Sequence, residues 1–339
     1  MKKGICGLLA VVMLFLCLCG CRNNETVEKP QPGTSSPEKT EYIAVTQIDP
    51  CVVEPDDRLH MSDEDEEYYR VLMDTLLSRK PHVTLSQNKE KNEYYIDLLM
   101  QSPYYFFAKS CTLDEGVVTF EYAYSDEEQT KMHKFIDNKF LEIVNSNASK
   151  DDNELDIILK IYSAVASSMT YDSNRTDNKQ LGSDLFLHPA DEIYKGLKDK
   201  KGLCYAFAYT LRFALLQRGV DCFCVYGPCT DRNEAHMWNV FEYDGEFYTC
   251  DSTWDRTDEE YPKLHHFGKT DGERVADNLA MHDFSSKFFD EYNKVECTDK
   301  RFKIFRSISS YEYLGGHKYK MADWDAIEYT FDSQTFELK

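Results

Sequence analysis

The chain has 339 residues, of which 60 are Asp or Glu and 39 are Lys or Arg, so its formal net charge is -21 at pH 7. This acidity disfavours nucleic acid as a partner, because phosphates repel negative charge. It also weakens nonspecific adhesion to anionic lipid, so any attachment to a membrane has to come from another source.

The N-terminus predicts a secretory signal peptide at residues 1–20, because two lysines precede an apolar stretch from Ile5 to Leu18. This stretch is shorter than the roughly 20 apolar residues of a transmembrane helix. Leu18-Cys19-Gly20-Cys21 resembles the lipobox of bacterial lipoproteins, which implies that Cys21 is lipidated. The alternative is an ordinary cleaved signal with incidental cysteines. We expect an extracytoplasmic protein, lipid-anchored to the bacterial cell membrane through Cys21.

Two regions follow the signal peptide. Residues 21–48 are rich in Pro, Thr, Ser, Glu, Lys and Asn, which predicts a disordered, lipid-anchored linker. Residues 49–125 are predicted to form a small N-terminal α/β region with no indicated chemistry. Its predicted elements are a helix after Ser62 with an acidic first turn, a helix from Glu93 to Met100 ended by Pro103, and a strand from Gly116 to Tyr124.

Helical periodicity then marks the beginning of a larger domain, predicted at residues 126–290. One helix runs from Glu127 to about Asn145, and another from Asp152 to Met169 carries one continuous apolar stripe. A polar connection leads to a short segment near Asp191 to Leu197. Residues 291–339 are predicted to extend this domain.

Cys204 opens an apolar, helix-patterned run from Tyr205 to Gln217, which Arg218 and Gly219 end with a cationic last turn and a glycine C-cap. Cys204 therefore lies in the first helical turn. Unpaired amides and the helix dipole at this position stabilise a thiolate, the nucleophilic form of cysteine. Taken alone, Cys204 is better explained as a buried, inert cysteine, but two further residues favour a nucleophile.

These residues lie on a predicted hairpin. Asp221 to Tyr226 predicts a strand and Gly227-Pro228 a break. Glu234 to Arg256 predicts a hairpin that turns at Asp244-Gly245, a type I′ signal.

The register set by this turn brings an imidazole and a carboxylate together. Continuing inward from the turn, the predicted pairs are Tyr243 with Glu246, Trp238 with Asp251, and His236 with Thr253. His236 and Asp251 then share a face as diagonal neighbours, about 7 to 8 Å apart at the backbone. The side chain of Asp255 would lie on the same face as that of His236, but Asp255 comes after the last paired residue of the strand. Asp251 is therefore the predicted partner of His236.

Three segments resemble, in order, the motif blocks of the transglutaminase-like superfamily. They are Gly202-Leu203-Cys204, His236-Met237-Trp238-Asn239 and Tyr248-Thr249-Cys250-Asp251-Ser252-Thr253-Trp254-Asp255, within a match from about Asp152 to His282. The resemblance implies an α+β, papain-like transglutaminase core with a helix-borne cysteine packed on an antiparallel sheet. It also implies catalytic roles: Cys204 as nucleophile, His236 as general base and Asp251 as the residue that orients the imidazole.

In such an enzyme the thiolate attacks an amide carbonyl to form a thioester, which an amine or water then resolves. The expected function is a peptidase or a protein-glutamine acyltransferase acting on a protein or peptide substrate, including cell-wall peptide, without a cofactor. The residues do not separate hydrolysis from transfer. The alternative is a catalytically silent binding or scaffolding lipoprotein with the same fold.

The remaining cysteines leave a zinc site as a further alternative. Cys222, Cys224, Cys229 and Cys250 crowd one region of a chain expected in a compartment that permits disulfides. However, Cys-x-Cys lacks the paired Cys-x2-Cys spacing of structural zinc sites. Cys222 and Cys224 also lie in an apolar strand, where cysteine is commonly a small core residue. We therefore expect no metal.

Overall fold

The computed structural model describes residues 44–53, 62–175, 189–229, 234–256, 263–277 and 295–339. The predicted signal peptide, Cys21, most of the predicted linker and His282 lie outside these residues. Across the described ranges, no helix combines the length and apolarity needed to cross a membrane.

The first region contains two helices and a three-stranded antiparallel sheet in the order β1-β3-β2. Its elements are α1 (Asp63–Leu77), β1 (His82–Thr84), α2 (Lys89–Met100), β2 (Ala108–Asp114) and β3 (Val117–Tyr122). α1 begins as predicted, because Ser62 and Asp65 form a reciprocal capping box. α2 begins before the predicted Glu93, because the Asn88 side chain accepts the N-H of Lys91 and caps the helix there.

The next four helices include the one that carries Cys204. They are α3 (Asp126–Val144), α4 (Glu154–Ser168), α5 (Pro189–Asp199) and α6 (Cys204–Leu216), and a short parallel pair joins β4 (Thr170–Tyr171) to β5 (Lys201–Gly202). Every residue of α6 is buried. α6 ends as predicted: Gly219 has a φ of +72°, and Val220 donates to the Leu215 carbonyl in a Schellman motif.

A four-stranded antiparallel sheet in the order β6-β7-β8-β9 packs against α6. Its strands are β6 (Cys222–Cys229), β7 (Glu234–Tyr243), β8 (Glu246–Cys250) and β9 (Phe267–Lys269). The α+β class and the helix-borne cysteine on an antiparallel sheet are therefore confirmed.

The hairpin between β7 and β8 turns at Asp244 and Gly245, whose φ angles of +54° and +77° fit a type I′ turn. Tyr243 pairs with Glu246 as predicted, but the ladder ends where Asn239 pairs with Cys250. The two predicted pairs beyond that point are not formed. The reason is that the carboxylate of Asp251 accepts two backbone N-H groups of the residues after it and turns the chain out of the strand.

The predicted break at Gly227-Pro228 is wrong, because β6 continues through both residues to Cys229. Gly227 pairs with His236, and Pro228 pairs with Ala235. β6 is the edge strand of its sheet, with a neighbour on one side only, and an edge position tolerates the missing N-H of proline.

The C-terminal region contains elements that the sequence analysis did not predict. A short helix, α7 (Asp271–Ala276), precedes a second four-stranded antiparallel sheet of β10 (Ile308–Gly315), β11 (Lys318–Asp323), β12 (Glu328–Asp332) and β13 (Glu337–Leu338). The described residues all lie in one compact unit and share one hydrophobic core. The boundaries at residues 125 and 290 remain predictions.

Candidate active site

Cys204 is the first residue of α6 and is 5 % exposed. Its position depends on Gly202, which pairs with Tyr171 in the parallel β4–β5 ladder. A Cβ at Gly202 would lie 2.8 Å from the Cβ of Ala206, so a side chain there would push β5 away from α6. The glycine two residues before the thiol is therefore a packing requirement that fixes where the chain enters the helix.

His236, on β7, lies between the other two predicted residues. Its Nε2 is 2.7 Å from Oδ2 of Asp251. The thiol of Cys204 is close enough to the same ring to raise the pKa of His236. The fold thus brings Cys204, His236 and Asp251 together.

The imidazole has an unusual protonation equilibrium. Burial lowers the pKa of His236, but the charge of Asp251, the hydrogen bond that the ring donates to Asp251 and the neighbouring Cys204 outweigh burial and raise the pKa to about 9. An imidazolium therefore persists well above neutral pH, and a cation beside a thiol favours the thiolate.

Asp251 is completely buried in the turn that follows β8. Its Oδ1 accepts the N-H groups of Thr253 and Trp254, both at 3.1 Å. Its Oδ2 accepts from His236 and, at 3.1 Å, from Nη2 of Arg274. Burial alone would raise the pKa of Asp251, but His236 and Arg274 hold it well below its usual range. Asp251 is therefore a carboxylate held by four donors.

Arg274, on α7, is a site residue that the sequence analysis missed. Its side chain is fully buried, and its guanidinium carbon lies 5.0 Å from the ring centroid of Trp238 and 5.3 Å from that of Trp254. No local pattern marks this arginine, because α7 is short and its approach to Asp251 arises from tertiary packing alone.

The same two indoles also flank the imidazole. The rings of His236 and Trp254 are stacked with centroids 4.8 Å apart, and those of His236 and Trp238 are stacked at 6.0 Å. Both indoles therefore shield the His236–Asp251–Arg274 contacts from water, which strengthens these electrostatic interactions.

Asp255 occupies a different position from Asp251. It is fully buried and accepts from the hydroxyl of Tyr162 at 2.7 Å and from the backbone N-H of His266 at 2.9 Å. Burial raises the pKa of Asp255. Its hydrogen bonds connect the turn to α4 and to the segment before β9, and within the described part of the chain none goes to His236.

The cysteines around the site do not share the environment of Cys204. All eight described cysteines are free thiols. Burial raises the pKa of Cys51 and of Cys111 to about 12, and that of Cys250 well above its ordinary value. These three thiols are therefore protonated at neutral pH.

One group of side chains has the spacing of metal ligands, although it does not include the four cysteines weighed as a zinc site. Over the described ranges it consists of His265, His266 and Asp277, whose candidate ligand atoms lie within 4.8 Å of one another. The ammonium of Lys269 lies 2.6 Å from Oδ2 of Asp277, and Arg274 approaches the same oxygen. Two cations at this carboxylate disfavour a metal ion there.

Sequence comparison finds a known family over the part of the chain that contains the site. Residues 142–256 match the sequence model of the transglutaminase-like superfamily, and this span contains Cys204, His236 and Asp251. No curated protein matches the chain.

Two solved structures are similar to parts of the chain. One is the crystal structure of a TGase, with 20% identity and a TM-score of 0.29, covering 54% of this chain and 52% of that one. The other, from Cytophaga hutchinsonii, is described as a proposed cysteine protease and shows 14% identity and a TM-score of 0.26, covering 36% of this chain and 37% of that one. The chain therefore spans about half of the TGase and less of the second protein. Residues 142–256 are a transglutaminase-like segment.

Proposed function

We propose that this protein is a cysteine enzyme that acts on amide bonds through a thioester intermediate, as a peptidase or a glutamine acyltransferase. The observation that carries the proposal is the position of the His236 imidazole, which is hydrogen-bonded to Asp251 at 2.7 Å and lies close enough to Cys204 for the thiol to raise its pKa. This is the relation of nucleophile, base and orienting acid that defines a catalytic triad, whatever the order of the residues in the chain.

In the proposed mechanism the thiolate of Cys204 adds to the amide carbonyl carbon, and the carbonyl oxygen becomes an oxyanion. The backbone N-H of Cys204, at the start of α6, is suited to donate to this oxyanion. The imidazolium of His236 then gives its proton to the leaving amine, and the C-N bond breaks to leave a thioester. An incoming amine or water loses a proton to His236 and attacks the thioester, and the C-S bond breaks to release the thiolate of Cys204 beside the imidazolium.

Alkylation of Cys204 tests the proposal without knowledge of the substrate. Iodoacetamide near pH 7, followed by peptide mapping, should modify Cys204 at least about tenfold faster than Cys51 or Cys111, since an activated thiolate is the reactive form. Cys204→Ala should abolish turnover of a peptide library, with or without an added primary amine, while the melting temperature stays near that of the wild type. Equal reactivity of the three thiols would contradict the proposal.

A binding protein without turnover is the second candidate, favoured by the small exposed fraction of Cys204, 5 %. In this case Cys204 reacts slowly and Cys204→Ala leaves ligand capture unchanged.

We further propose that the protein is held outside the cytoplasm by a lipid on Cys21. Cys21→Ala should abolish incorporation of a labelled fatty acid and leave the alkylation rate of Cys204 unchanged. Continued labelling of the variant would refute the anchor.

A further inference from the structure

Arg256 has no carboxylate partner among the described residues, whereas five other described arginines have one. Five described arginines lie within 4.0 Å of a carboxylate oxygen: Arg70, Arg79, Arg274, Arg301 and Arg306. Within the described ranges, Arg256 forms no such ion pair. It is half-buried, so its charge is only partly screened by water.

Two separate contacts place Arg256 beside the nucleophile. Its Nη1 donates to the carbonyl of Thr253 at 2.5 Å, and the Thr253 hydroxyl donates in turn to the carbonyl of Cys204 at 3.5 Å. Its guanidinium carbon also lies 4.9 Å from the ring centroid of Tyr171, which pairs with Gly202. Thr253 alone separates Arg256 from Cys204 along the first route, whereas Tyr171, Gly202 and Leu203 lie between them along the second.

We propose that Arg256 binds a carboxylate of the substrate, so that the enzyme acts on peptides with a free carboxylate close to the scissile or acyl-donating amide. This inference rests on the proposed function and names its substrate class. A guanidinium has five N-H donors, and one bond to the Thr253 carbonyl leaves an edge that matches a carboxylate bidentately. The Tyr171 ring holds the guanidinium plane in place.

Paired alkylating peptides test this subsite. N-iodoacetyl-Gly and N-iodoacetyl-Gly-Gly are each compared as the free acid and as the C-terminal amide. The extra glycine places the carboxylate about 3.5 Å further from the alkylating CH₂ group. The thiolate sulfur of Cys204 displaces iodide from the CH₂ group in every case, so each pair differs only in charge. N-iodoacetyl-Asp-amide and its Asn counterpart distinguish a side-chain carboxylate from a C-terminal one.

In the wild type, at least one acid should alkylate Cys204 about tenfold faster than its neutral partner, consistent with a charge-assisted hydrogen bond. Arg256→Gln should abolish this preference and leave the rates of the neutral probes within about twofold of the wild type. Arg256→Lys should retain part of the preference for the acid probe, since lysine keeps the charge but cannot bind a carboxylate through two parallel hydrogen bonds. Arg301→Gln is the matched control, because Arg301 binds Asp244 at the far turn of the hairpin.

The result that overturns the inference is a wild-type ratio of acid to neutral rates near one, or a ratio unchanged in Arg256→Gln, while neutral probes still modify Cys204 rapidly. Slow modification of Cys204 by every probe would instead refute the proposed function. The two failures are therefore distinguishable.

Discussion

Charge alternates in sign along the row of side chains at the site. The imidazolium of His236 faces the carboxylate of Asp251, and this carboxylate faces the guanidinium of Arg274. Each buried charge has an opposite neighbour, and a buried charge without a partner is expensive. In the proposed mechanism Arg274 therefore acts through Asp251 as a positioning residue.

Arg274 should set the proton affinity of His236. In Arg274→Met, the negative charge of Asp251 acts on the imidazolium without an opposing cation, so the pKa of His236 should rise above about 9. Arg274→Lys keeps the cation and should leave this pKa near the wild-type value. The measurement is the pH titration of the His236 Cε1 resonance in protein with ¹³C-labelled histidine, assigned with His236→Gln. Unchanged titration in folded Arg274→Met would exclude this role.

Replacement of Asp251 by asparagine should lower the pKa of His236 and the turnover, whereas the same change at Asp255 should mainly lower the melting temperature. Asp251→Asn removes the charge that raises the pKa of His236, so the pKa should fall from about 9 toward the ordinary 6.5. The imidazolium then loses its proton at lower pH, and turnover should drop by roughly 10 to 10³. Asp255→Asn should lower the melting temperature, because Tyr162 and the backbone of His266 both donate to Asp255.

The two variants are compared by the same His236 titration and by thermal unfolding. Asp255→Asn should leave the pKa of His236 within about half a unit of the wild type and lose less than about tenfold in turnover. If the folded Asp255→Asn protein instead shows the large fall in the pKa of His236, Asp255 and not Asp251 is the third site residue.

Local sequence rules were sufficient to predict the helix that carries Cys204 and the hairpin that carries His236. Asp244-Gly245 predicted the turn and the register of its first pairs, because both residues accept a positive φ. The same register failed beyond Cys250, where the side chain of Asp251 bends its own backbone. His236 and Asp251 therefore meet through a turn and not through the diagonal of a ladder. A register extended from the turn cannot predict that a side chain will accept hydrogen bonds from the backbone N-H groups and so end the strand.

Gly202→Ala tests the entry of the chain into α6. The added Cβ would lie 2.8 Å from Ala206 and 3.1 Å from the sulfur of Met169, so β5 or α6 has to move. Overpacking of this kind typically costs about 1 to 3 kcal/mol of unfolding free energy. Because β5 leads directly into Cys204, the variant should also react more slowly with iodoacetamide.

The matched control is Gly272→Ala in α7, where a Cβ would meet no atom within 4 Å. Denaturant unfolding and the alkylation rate of Cys204 are measured on both variants. A Gly202→Ala protein as stable and as reactive as the control would show that β5 tolerates the added methyl group.

At the scale of the whole molecule, the C-terminal sheet is joined to the helices through Asp156 of α4. This buried carboxylate accepts from the Tyr319 hydroxyl at 2.8 Å, from the Ser333 hydroxyl at 2.6 Å, and contacts Nδ1 of His317 at 2.5 Å. The sequence marked Asp156 only as part of a helical segment. Its long-range partners, like Arg274, depend on packing that local patterns do not encode.

Asp156→Ala should destabilise the protein strongly, because it removes the acceptor of the buried Tyr319 hydroxyl and the nearer of two acceptors of the Ser333 hydroxyl, leaves His317 without its carboxylate contact, and removes a capping-box residue of α4. Each unsatisfied buried group costs about 1 to 3 kcal/mol, so the loss of unfolding free energy should exceed about 3 kcal/mol. Asp325→Ala, at an exposed position of the same sheet region, should change it by less than about 0.5 kcal/mol. Urea unfolding of both proteins measures the difference.

The three predicted catalytic residues come from a helix, a strand and a turn, which has a consequence for when the chain becomes reactive. Before these elements meet, the described part of the chain carries eight thiols with no activating neighbour, so the polypeptide is chemically latent. If the chain is exported unfolded, as a secretory signal requires, it crosses the membrane without an active nucleophile. The alkylation rate of Cys204 therefore reports on folding. In a refolding time course sampled with iodoacetamide, the predicted fast alkylation should begin when the helix, the strand and the turn have assembled around the thiol.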